Sequence, residues 1–415
     1  MGVTALALAV RVGYVLGTEP RHLPFSDSVW YQFQANFLAK GHGFVDPLVL
    51  AFTGRSVASA SHPPLFPLIL AAGSFLGATS VEAHQLMGCL IGVGTVIGVG
   101  LVAKEIAGER AGLLAATLAA VYPPLWLNDG GLMAESLFAV VITLVMLASY
   151  RFIGKPTPKA AALLGITIGL AMLTRAEAVL LIVVLVLPVV LRAKQLPSGR
   201  RLGLASLAVI AAAVTTSPWV IRNLVTFERP VTLSTGDGTL AGANCAATYY
   251  GSQTGLWTNA SSCYPPALPG DESVANVAER HQGLAYAYHH LSRVPIVVAV
   301  RIGRVWEVYA PLQDASVDGD DGRPAWGNRL GLAAYAAVVP AAAVGVVILR
   351  RPRVSLVPLA AQFALVTLTA TLVWGGIRFR SPADVVLVIL AGVALDGSRR
   401  LATLTRRVSS PVREQ

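Results

Sequence analysis

The feature that most constrains this chain is a series of long apolar runs that recurs along almost its whole length. The runs lie at 3–17, 83–103, 111–127, 133–152, 160–174, 177–191, 202–220, 328–349, 354–374 and 382–396. As helices, runs of this kind cross a hydrocarbon core of roughly 30 Å. Charged residues make up only 13% of the chain, against about 25% in soluble domains. The sequence therefore excludes a soluble globular protein and predicts an all-α polytopic membrane protein.

The basic residues indicate how the chain is oriented. Of its 32 Lys and Arg, 17 lie in short segments after alternate runs or in the C-terminal tail, including a cluster in 192–201. Cytoplasmic segments carry such an excess of positive charge. We therefore expect a protein of the cell membrane with both termini in the cytoplasm and two long outer segments, 18–81 and 221–327. The net charge of +10 then needs no nucleic-acid partner.

Two further apolar stretches, 62–78 and 295–311, fit this orientation only if they stay on the outer side. We expect re-entrant or interfacial helices there, since Arg301, Arg304 and Glu307 recur at helical spacing in the second stretch. The chain then divides into an N-terminal transmembrane module (1–220), an outer segment (221–327) and C-terminal helices with a cytoplasmic tail (328–415).

The cysteines indicate a disulfide on the outer side. Cys245 and Cys263 lie in the large outer segment, where an oxidising exterior permits a disulfide, whereas Cys89 lies within a span. Two free, buried thiols are the alternative.

Polar side chains beside apolar runs are the candidates for chemistry, because each costs about 2.5–3.5 kcal/mol at membrane depth. Carboxylates suit proton abstraction and guanidiniums bind phosphate. The expected outer ends of the spans carry both types: Asp27, His62, Glu135, Arg175, Glu177, Arg222, Arg378 and Arg380.

Three of these residues have both a structural and a functional interpretation. Asp27 begins a short amphipathic helix whose N-cap is either Ser26 or Asp27, and the alternative is that Asp27 is a general base whose pKa is raised by partial burial. His62 precedes two prolines at a rigid corner and is either a structural residue or a substrate contact. Glu135 either interacts with a helix N-terminus or contacts substrate.

The arginines favour an anion-binding site. Arg175 and Glu177 lie in a tight outer turn, and Arg222 ends another span. Arg378 and Arg380 oppose the positive-inside bias, which favours a bound phosphate over a simple headgroup contact.

In their order along the chain these residues resemble the GT-C glycosyltransferases. Within that group the chain is most similar to glycosyltransferase family 39 and its relatives, the protein O-mannosyltransferases and lipid A aminoarabinose transferases. The resemblance covers nearly the whole chain. It is carried by Asp27 with Tyr31 and Gly41, His62-Pro63-Pro64-Leu65, Glu135, Leu173-Thr174-Arg175, Pro218-Trp219 with Arg222-Asn223, and Arg378-Phe379-Arg380 with Pro382.

The resemblance implies a GT-C bundle of about 10–12 transmembrane helices with re-entrant or interfacial helices on its outer face. It also implies an inverting transfer of a hexosyl or pentosyl group from a polyprenyl-phosphate sugar to a lipid, glycan or protein acceptor on that face. Module 1–220 is then the catalytic module and Asp27 the base. The residues expected to bind donor and substrate are Tyr31, His62, Glu135, Arg175, Glu177, Arg222, Arg378 and Arg380.

The sequence does not indicate a metal, although a divalent ion remains open as a cofactor. Two other functions also remain open. One is a transporter or flippase of an anionic lipid or lipid-linked sugar, which would place the same charges in the membrane. The other is an inactive scaffold subunit of a cell-envelope complex.

Overall fold

A computed structural model describes residues 2–17, 26–236, 238–317, 323–350 and 354–408, with side chains described as far as Gly397 except that of residue 317. In these segments the chain is helical, and its extended backbone forms only an isolated bridge between Val45 and Ala58. The predicted all-α membrane class is confirmed. Three of the basic residues expected on the cytoplasmic side, Arg351, Arg353 and Arg413, lie outside the described residues.

The helices follow one another with short connections, except in the two outer segments. They are α1 (Gly2–Gly17), α2 (Asp27–Ala39), α3 (Pro47–Thr53), α4 (Leu65–Phe75), α5 (Val81–Ala107), α6 (Glu109–Val121), α7 (Pro123–Gly130), α8 (Ala134–Gly154), α9 (Pro158–Met172), α10 (Leu187–Arg192), α11 (Ser198–Thr226), α12 (Thr239–Ala243), α13 (Ala246–Tyr249), α14 (Glu272–His289), α15 (Val294–Val305), α16 (Pro311–Val317), α17 (Ala325–Arg350), α18 (Val357–Leu372) and α19 (Ser381–Val408). Short 3-10 or π-helical turns lie at Ala176–Leu180, Ile182–Val186, Ser261–Cys263 and Ile377–Arg380.

Five of the predicted runs form elements long and apolar enough to cross a membrane. These are α5, α8, α11, α17 and the bent pair of α6 and α7. The runs 3–17, 160–174 and 354–374 form shorter apolar helices, and the run 382–396 lies in the first part of the long helix α19. The run 177–191 is interrupted because Pro188 has no N–H to donate to the preceding turn, and a 3-10 turn and a π-helical turn precede α10 there.

The bend between α6 and α7 brings polar residues into the interior. The two helices meet at 51° around Tyr122, where Pro123 and Pro124 prevent α6 from continuing. The short helix α7 carries Asn128 and Asp129, both buried.

A buried ion pair joins α1 to α7. Arg11 is fully buried, and its Nε donates to Asp129 Oδ2 at 2.7 Å. Its Nη1 donates to the backbone oxygen of Ala120 at 3.1 Å. Gly92 of α5 lies against the pair, and a methyl group there would overlap both side chains.

Glycines let the long helices approach one another closely. A Cβ on Gly165 of α9 would overlap the backbone of Ala208 in α11. A Cβ on Gly345 of α17 would likewise overlap the backbone of Leu390 in α19. Small residues at such contacts are typical of helices that pack within a bilayer.

The helix surfaces that face away from the core of the bundle are apolar. Leu90, Ile97 and Leu101 form a stripe along α5 and are 62%, 46% and 48% exposed. A stripe of this kind fits lipid chains and would be unusual on a soluble monomer. The helices and their apolar surface are those of an integral membrane protein.

The stretch 62–78 contains α4, which has 11 residues. At 1.5 Å per residue it reaches about 17 Å, roughly half of a hydrocarbon core. This length suits the re-entrant or interfacial helix expected there.

The segment 221–327, which we expect on the outer side, contains a disulfide. The sulfur atoms of Cys245 and Cys263 lie 2.11 Å apart, so the two residues are not the free thiols of the alternative interpretation. The remaining cysteine, Cys89, is buried.

The prediction that the arginines of 295–311 lie at the membrane interface is wrong. Arg301 and Arg304 of α15 point into the protein and are buried, not turned toward the membrane interface. Arg301 donates to Asn244 Oδ1 at 3.0 Å, and Arg304 donates to the backbone oxygen of Thr254 at 2.7 Å. The loop near the disulfide supplies the oxygen atoms that these guanidiniums need when buried.

The predicted orientation can be tested by cysteine labelling. Ser198 and Ser292 are both exposed, at the start of α11 and after α14. In intact cells, Ser292→Cys is expected to react with a membrane-impermeant maleimide and Ser198→Cys only after permeabilisation. Background labelling should be low because the native cysteines are buried or disulfide-bonded. Labelling of Ser198→Cys in intact cells would reverse the orientation.

The ion pair of α1 is expected to contribute strongly to stability. Arg11→Met leaves Asp129 buried without its partner and should lower the free energy of unfolding by about 3–5 kcal/mol. The double variant Arg11→Met, Asp129→Leu removes the stranded charge and should recover much of the loss. Thermal unfolding in detergent micelles measures both effects. A double variant no more stable than the single variant would contradict this account.

Candidate active site

Asp27 lies at the first turn of α2 and is not its N-cap. Ser26 takes that position, and its side chain accepts a hydrogen bond from the backbone N–H of Ser28. The N-cap interpretation of Asp27 is therefore wrong, because a neighbouring hydroxyl does that work. The Asp27 carboxylate is left to interact with other parts of the chain.

Glu135 is presented by a strained turn. Leu132, two residues before α8, has a φ of 55°, a left-handed conformation that is costly for a branched side chain. The turn leads from α7 into the first turn of α8, where the Glu135 side chain is only 1% exposed. Strain of this kind is often found at functional sites.

Two arginines come from short turns between helices. Arg175 precedes the 3-10 turn Ala176–Leu180, and Arg378 lies in the 3-10 turn Ile377–Arg380 that leads into α19. Their side chains are 13% and 11% exposed.

These residues form one network of carboxylates and guanidiniums. Arg378 Nη2 donates to Asp27 Oδ2 at 2.5 Å, and Arg378 Nε donates to Glu135 Oε1 at 2.8 Å. Arg175 donates at 2.5 Å to both Glu135 Oε1 and Glu177 Oε1. Arg378 therefore joins two carboxylates that lie far apart in the sequence. We call these five residues the Arg378 network: Asp27, Glu135, Arg175, Glu177 and Arg378.

Aromatic rings form a wall beside Asp27. His62 Nε2 lies 3.6 Å from Asp27 Oδ2, and the ring of His62 packs against those of Trp30 and Tyr31, with centroids 4.6 and 4.9 Å away. Phe66 packs edge-on against Tyr31 at 5.0 Å. The predicted site residues His62 and Tyr31 therefore border the Arg378 network.

The expected raised pKa of Asp27 is wrong. Burial raises the pKa of this carboxyl, but Arg378 and His62 lower it by more, and it lies well below its usual value. The side chain is still 30% exposed. Asp27 is therefore ionised at neutral pH and is a weak base for as long as Arg378 holds it.

Arg222 makes different contacts from those of the Arg378 network. Its guanidinium donates to the backbone oxygens of Phe44 and Ser59 at 2.7 and 2.9 Å. It also lies against the rings of Phe44, Trp219 and Phe227. This arginine fastens the first outer segment to the end of α11.

Arg380 belongs to a second, more deeply buried group. It donates to Glu307 Oε2 at 2.5 Å and to Asp384 Oδ1 at 3.2 Å, and its Cζ lies 3.9 Å from the centroid of the Tyr335 ring. Tyr122 donates to Asp384 at 3.0 Å. These contacts hold Arg380 in the protein interior.

The second group includes residues that the sequence analysis did not select. Glu307 was assigned to an interfacial helix, and Asp384 and Tyr122 lie inside apolar runs that were interpreted as spans. A carboxylate in an apolar run was the available signal, because such a group needs a partner.

The carboxylates of the Arg378 network face guanidiniums. Within the described segments, no group of three or more His, Cys, Asp or Glu side chains is placed to hold a metal ion.

The chain matches one protein family over part of its length. Residues 61–221 match the family model for dolichyl-phosphate-mannose-protein mannosyltransferases, a range that includes His62, Glu135, Arg175 and Glu177. A search of curated proteins gave no match.

Solved structures with the same fold are oligosaccharyltransferases. An oligosaccharyltransferase of Archaeoglobus fulgidus, tethered with an acceptor peptide containing the NVT sequon, matches with a TM-score of 0.56 and 15% identity over 99% of this chain and 50% of that one. AglB in complex with an inhibitory peptide and a dolichol-phosphate matches with a TM-score of 0.54 and 14% identity over 100% and 52%. This chain thus spans about half the length of AglB.

ArnT from Cupriavidus metallidurans, bound to undecaprenyl phosphate, matches with a TM-score of 0.43 and 17% identity over 96% of this chain and 77% of that one. The oligosaccharyltransferase matches show the GT-C fold over the whole chain, and the family model matches residues 61–221. The predicted resemblance to the GT-C glycosyltransferases is confirmed.

Arg378 and Arg380, in the turn before α19, are expected to differ in their effect on stability. Arg380→Ala leaves Glu307 and Asp384 buried without their partner and should lower the free energy of unfolding by about 3–5 kcal/mol. Arg378→Ala should cost less, because Asp27 is 30% exposed and Arg175 still pairs with Glu135. Thermal unfolding of the two matched variants in detergent tests this, and equal losses would contradict it.

Proposed function

We propose that this protein is a membrane glycosyltransferase that transfers a sugar from a polyprenyl-phosphate-linked donor to an acceptor hydroxyl. The transfer takes place on the outer face of the membrane and inverts the anomeric carbon. The observation that carries the proposal is the position of Arg378 between Asp27 and Glu135. This arrangement places a carboxylate that can take a proton beside guanidiniums that can bind a phosphate.

The choice of donor is supported by the names of similar proteins. The family model is named for dolichyl-phosphate-mannose, and one AglB structure is a complex with a dolichol-phosphate. Both are sugar-transfer systems that use a lipid phosphate. The acceptor of this chain is a hydroxyl of a lipid, glycan or protein.

In the proposed reaction, Asp27 takes the proton of the acceptor hydroxyl as its oxygen attacks the anomeric carbon from the face opposite the phosphate. A bond forms between that oxygen and the anomeric carbon while the bond from the anomeric carbon to the phosphate oxygen breaks. The electron pair of the broken bond stays on the lipid phosphate. Arg378 and Arg175 stabilise the negative charge that grows there.

The ion pair of Asp27 determines when it acts as a base. A donor phosphate competes with Asp27 for Arg378, because both are anions that accept charge-assisted hydrogen bonds. Donor binding then weakens the pair and raises the pKa of Asp27 toward its ordinary value. Asp27 thus becomes a stronger base once a donor is in place.

Glu135 has an atom available for the substrate. Its Oε1 pairs with both arginines, whereas its buried Oε2 accepts no hydrogen bond from the described residues. A buried acceptor without a donor is costly, and a sugar hydroxyl would satisfy it. We assign Glu135 to the donor sugar or its acceptor.

The proposed placement follows the positive-inside orientation. Module 1–220 is catalytic, 221–327 is an outer segment and 328–415 supplies C-terminal helices and a tail. Both termini are cytoplasmic in the cell membrane, and membrane lipids surround the bundle. Arg222 and Arg380 have structural contacts, so we assign donor binding to Arg378 and Arg175.

Substitution of the proposed base tests the function. Asp27→Asn removes the carboxylate with almost no change in volume and should lower transfer by about 10²–10⁴-fold. Donor binding should persist, because Arg378 keeps Glu135 as a partner. The measurement uses purified protein in nanodiscs with a panel of radiolabelled polyprenyl-phosphate sugars, scoring binding and transfer separately.

Arg378→Ala is the matched comparison, since it should lose donor binding as well as transfer. Near-normal turnover in Asp27→Asn would reject the base. Donor binding by the wild type without transfer to any acceptor would favour the transporter or flippase alternative, and absence of both would favour the scaffold.

A further inference from the structure

A cavity lies at the end of the bundle opposite the Arg378 network. Its volume is about 260 Å³, close to the lower end of the roughly 300–1,000 Å³ typical of small-ligand sites. Phe152 at the end of α8 forms one wall, and Arg192 at the end of α10 forms another. Glu135 lies in the first turn of the same α8, which at 1.5 Å per residue places it roughly 26 Å from Phe152. The cavity is therefore separate from the proposed active site.

The charge around the cavity favours an anion. The three segments that contribute to its lining are 150–160, 187–205 and 350–356, and their sequences contain ten Lys or Arg and no Asp or Glu. Arg192 lines the cavity itself, together with the polar side chains of Gln195 and Ser355. Because a guanidinium binds phosphate through paired, charge-assisted hydrogen bonds, this lining suits a phosphate-bearing group.

A second guanidinium lies beside the end of α10. Arg201 Nη1 donates to the backbone oxygen of Leu191 at 3.3 Å, so this side chain contacts the residue that precedes Arg192. The Nε of Arg201 is buried and makes no hydrogen bond with the described residues. A buried donor without an acceptor is costly, and a phosphate oxygen bound between Arg192 and Arg201 would satisfy it.

An apolar stripe runs along the helical segment that ends at Arg192. It consists of Val183, Leu187 and Leu191, which recur every four residues and are 61%, 49% and 56% exposed. The last of them directly precedes Arg192, so the basic lining and the stripe are continuous. Exposed apolar surface of this kind fits hydrocarbon chains, whereas a soluble phosphate compound has nothing to place on it. The combination indicates a ligand with a phosphate headgroup and an acyl chain.

We propose that this cavity binds the headgroup of an anionic phospholipid from the membrane leaflet opposite the Arg378 network. Arg192 binds the phosphate, Gln195 and Ser355 contact the rest of the headgroup, and an acyl chain lies along the stripe of α10. The expected orientation makes this the cytoplasmic leaflet, where anionic lipids are attracted to basic pockets between helices. The lipid is neither donor nor acceptor in the proposed transfer, so the site does not depend on that function.

The experiment measures the affinity of the first bound phosphatidylglycerol by native mass spectrometry of the purified full-length protein in detergent. Phosphatidylcholine with the same acyl chains is the uncharged comparison and should bind more weakly. Arg192→Gln should weaken phosphatidylglycerol binding about fivefold, the effect of one basic residue near an anionic lipid, and Arg192→Lys should recover part of it. Ser355→Phe fills the cavity without changing its charge and should also weaken binding at least fivefold.

Matched controls separate the cavity from the general charge of this face. Arg200 and Ser198 are both exposed at the start of α11 and do not line the cavity. Arg200→Gln removes the same charge as Arg192→Gln, and Ser198→Phe adds the same ring as Ser355→Phe, so both controls should bind phosphatidylglycerol like the wild type. Because Arg192 is itself exposed, Arg192→Gln should fold normally, and thermal unfolding in detergent checks this for every variant.

A soluble probe distinguishes a lipid from a free phosphate compound. Glycerol 3-phosphate carries the phosphate without acyl chains and should bind far more weakly than phosphatidylglycerol. Equal affinity for the two would overturn the lipid assignment, and so would equal affinity for phosphatidylglycerol and phosphatidylcholine. Phosphatidylglycerol binding that Arg192→Gln and Ser355→Phe leave unchanged, or that Arg200→Gln weakens as much as Arg192→Gln, would overturn the cavity. Losses confined to the two cavity variants would support it, whether or not the protein transfers sugar.

Discussion

The structure depends on one guanidinium that lies between two carboxylates. Arg378 donates to Asp27 and to Glu135, which precede it by 351 and 243 residues. Each carboxylate lies in the first turn of a helix, α2 or α8, and the arginine lies in the turn that leads into α19. A guanidinium shared in this way positions both carboxylates, while the 30% exposure of Asp27 and the second partner of Glu135, Arg175, limit the cost of losing it. The relative positions of α2, α8 and α19 are therefore linked through a single side chain.

The two arginines of that turn show how exposure separates a reactive group from a structural one. Arg380 and both of its carboxylate partners are 3–4% exposed. Its contacts are completed within the protein, and exchanging a partner for a ligand would strand a buried carboxylate. Arg378 faces Asp27, which is 30% exposed. Water or a substrate anion can solvate that group, so Arg378 can exchange partners at lower cost. From the sequence, both arginines were expected to bind a phosphate because both oppose the positive-inside bias.

Much of the fold was predictable because apolar periodicity reports directly on membrane spans. The runs at 83–103, 133–152 and 202–220 all correspond to long helices. The break in 177–191 and the bend at Tyr122 depend on how prolines are accommodated by neighbouring helices. For the site, Asp27, Glu135 and Arg378 could be selected as polar residues beside apolar runs. The contacts among these residues could not be predicted, because a contact between residues hundreds of positions apart depends on how the helices pack. The lowered pKa of Asp27 could not be predicted for the same reason, because it is caused by contacts with Arg378 and His62. Arg301 and Arg304 were misjudged because their oxygen partners come from a distant loop.

The buried arginine of α1 has a consequence for the order in which the chain enters the membrane. A helix of 16 residues with an arginine in its second half is a weak membrane segment, since Arg at the centre costs about 2.5–3.5 kcal/mol on insertion. The partner that compensates this charge, Asp129, is synthesised more than a hundred residues later. During translation α1 therefore remains near the interface, where the guanidinium reaches water, until α7 emerges. Its final depth is set only when the two meet, so α1 settles later than helices that follow it in the chain.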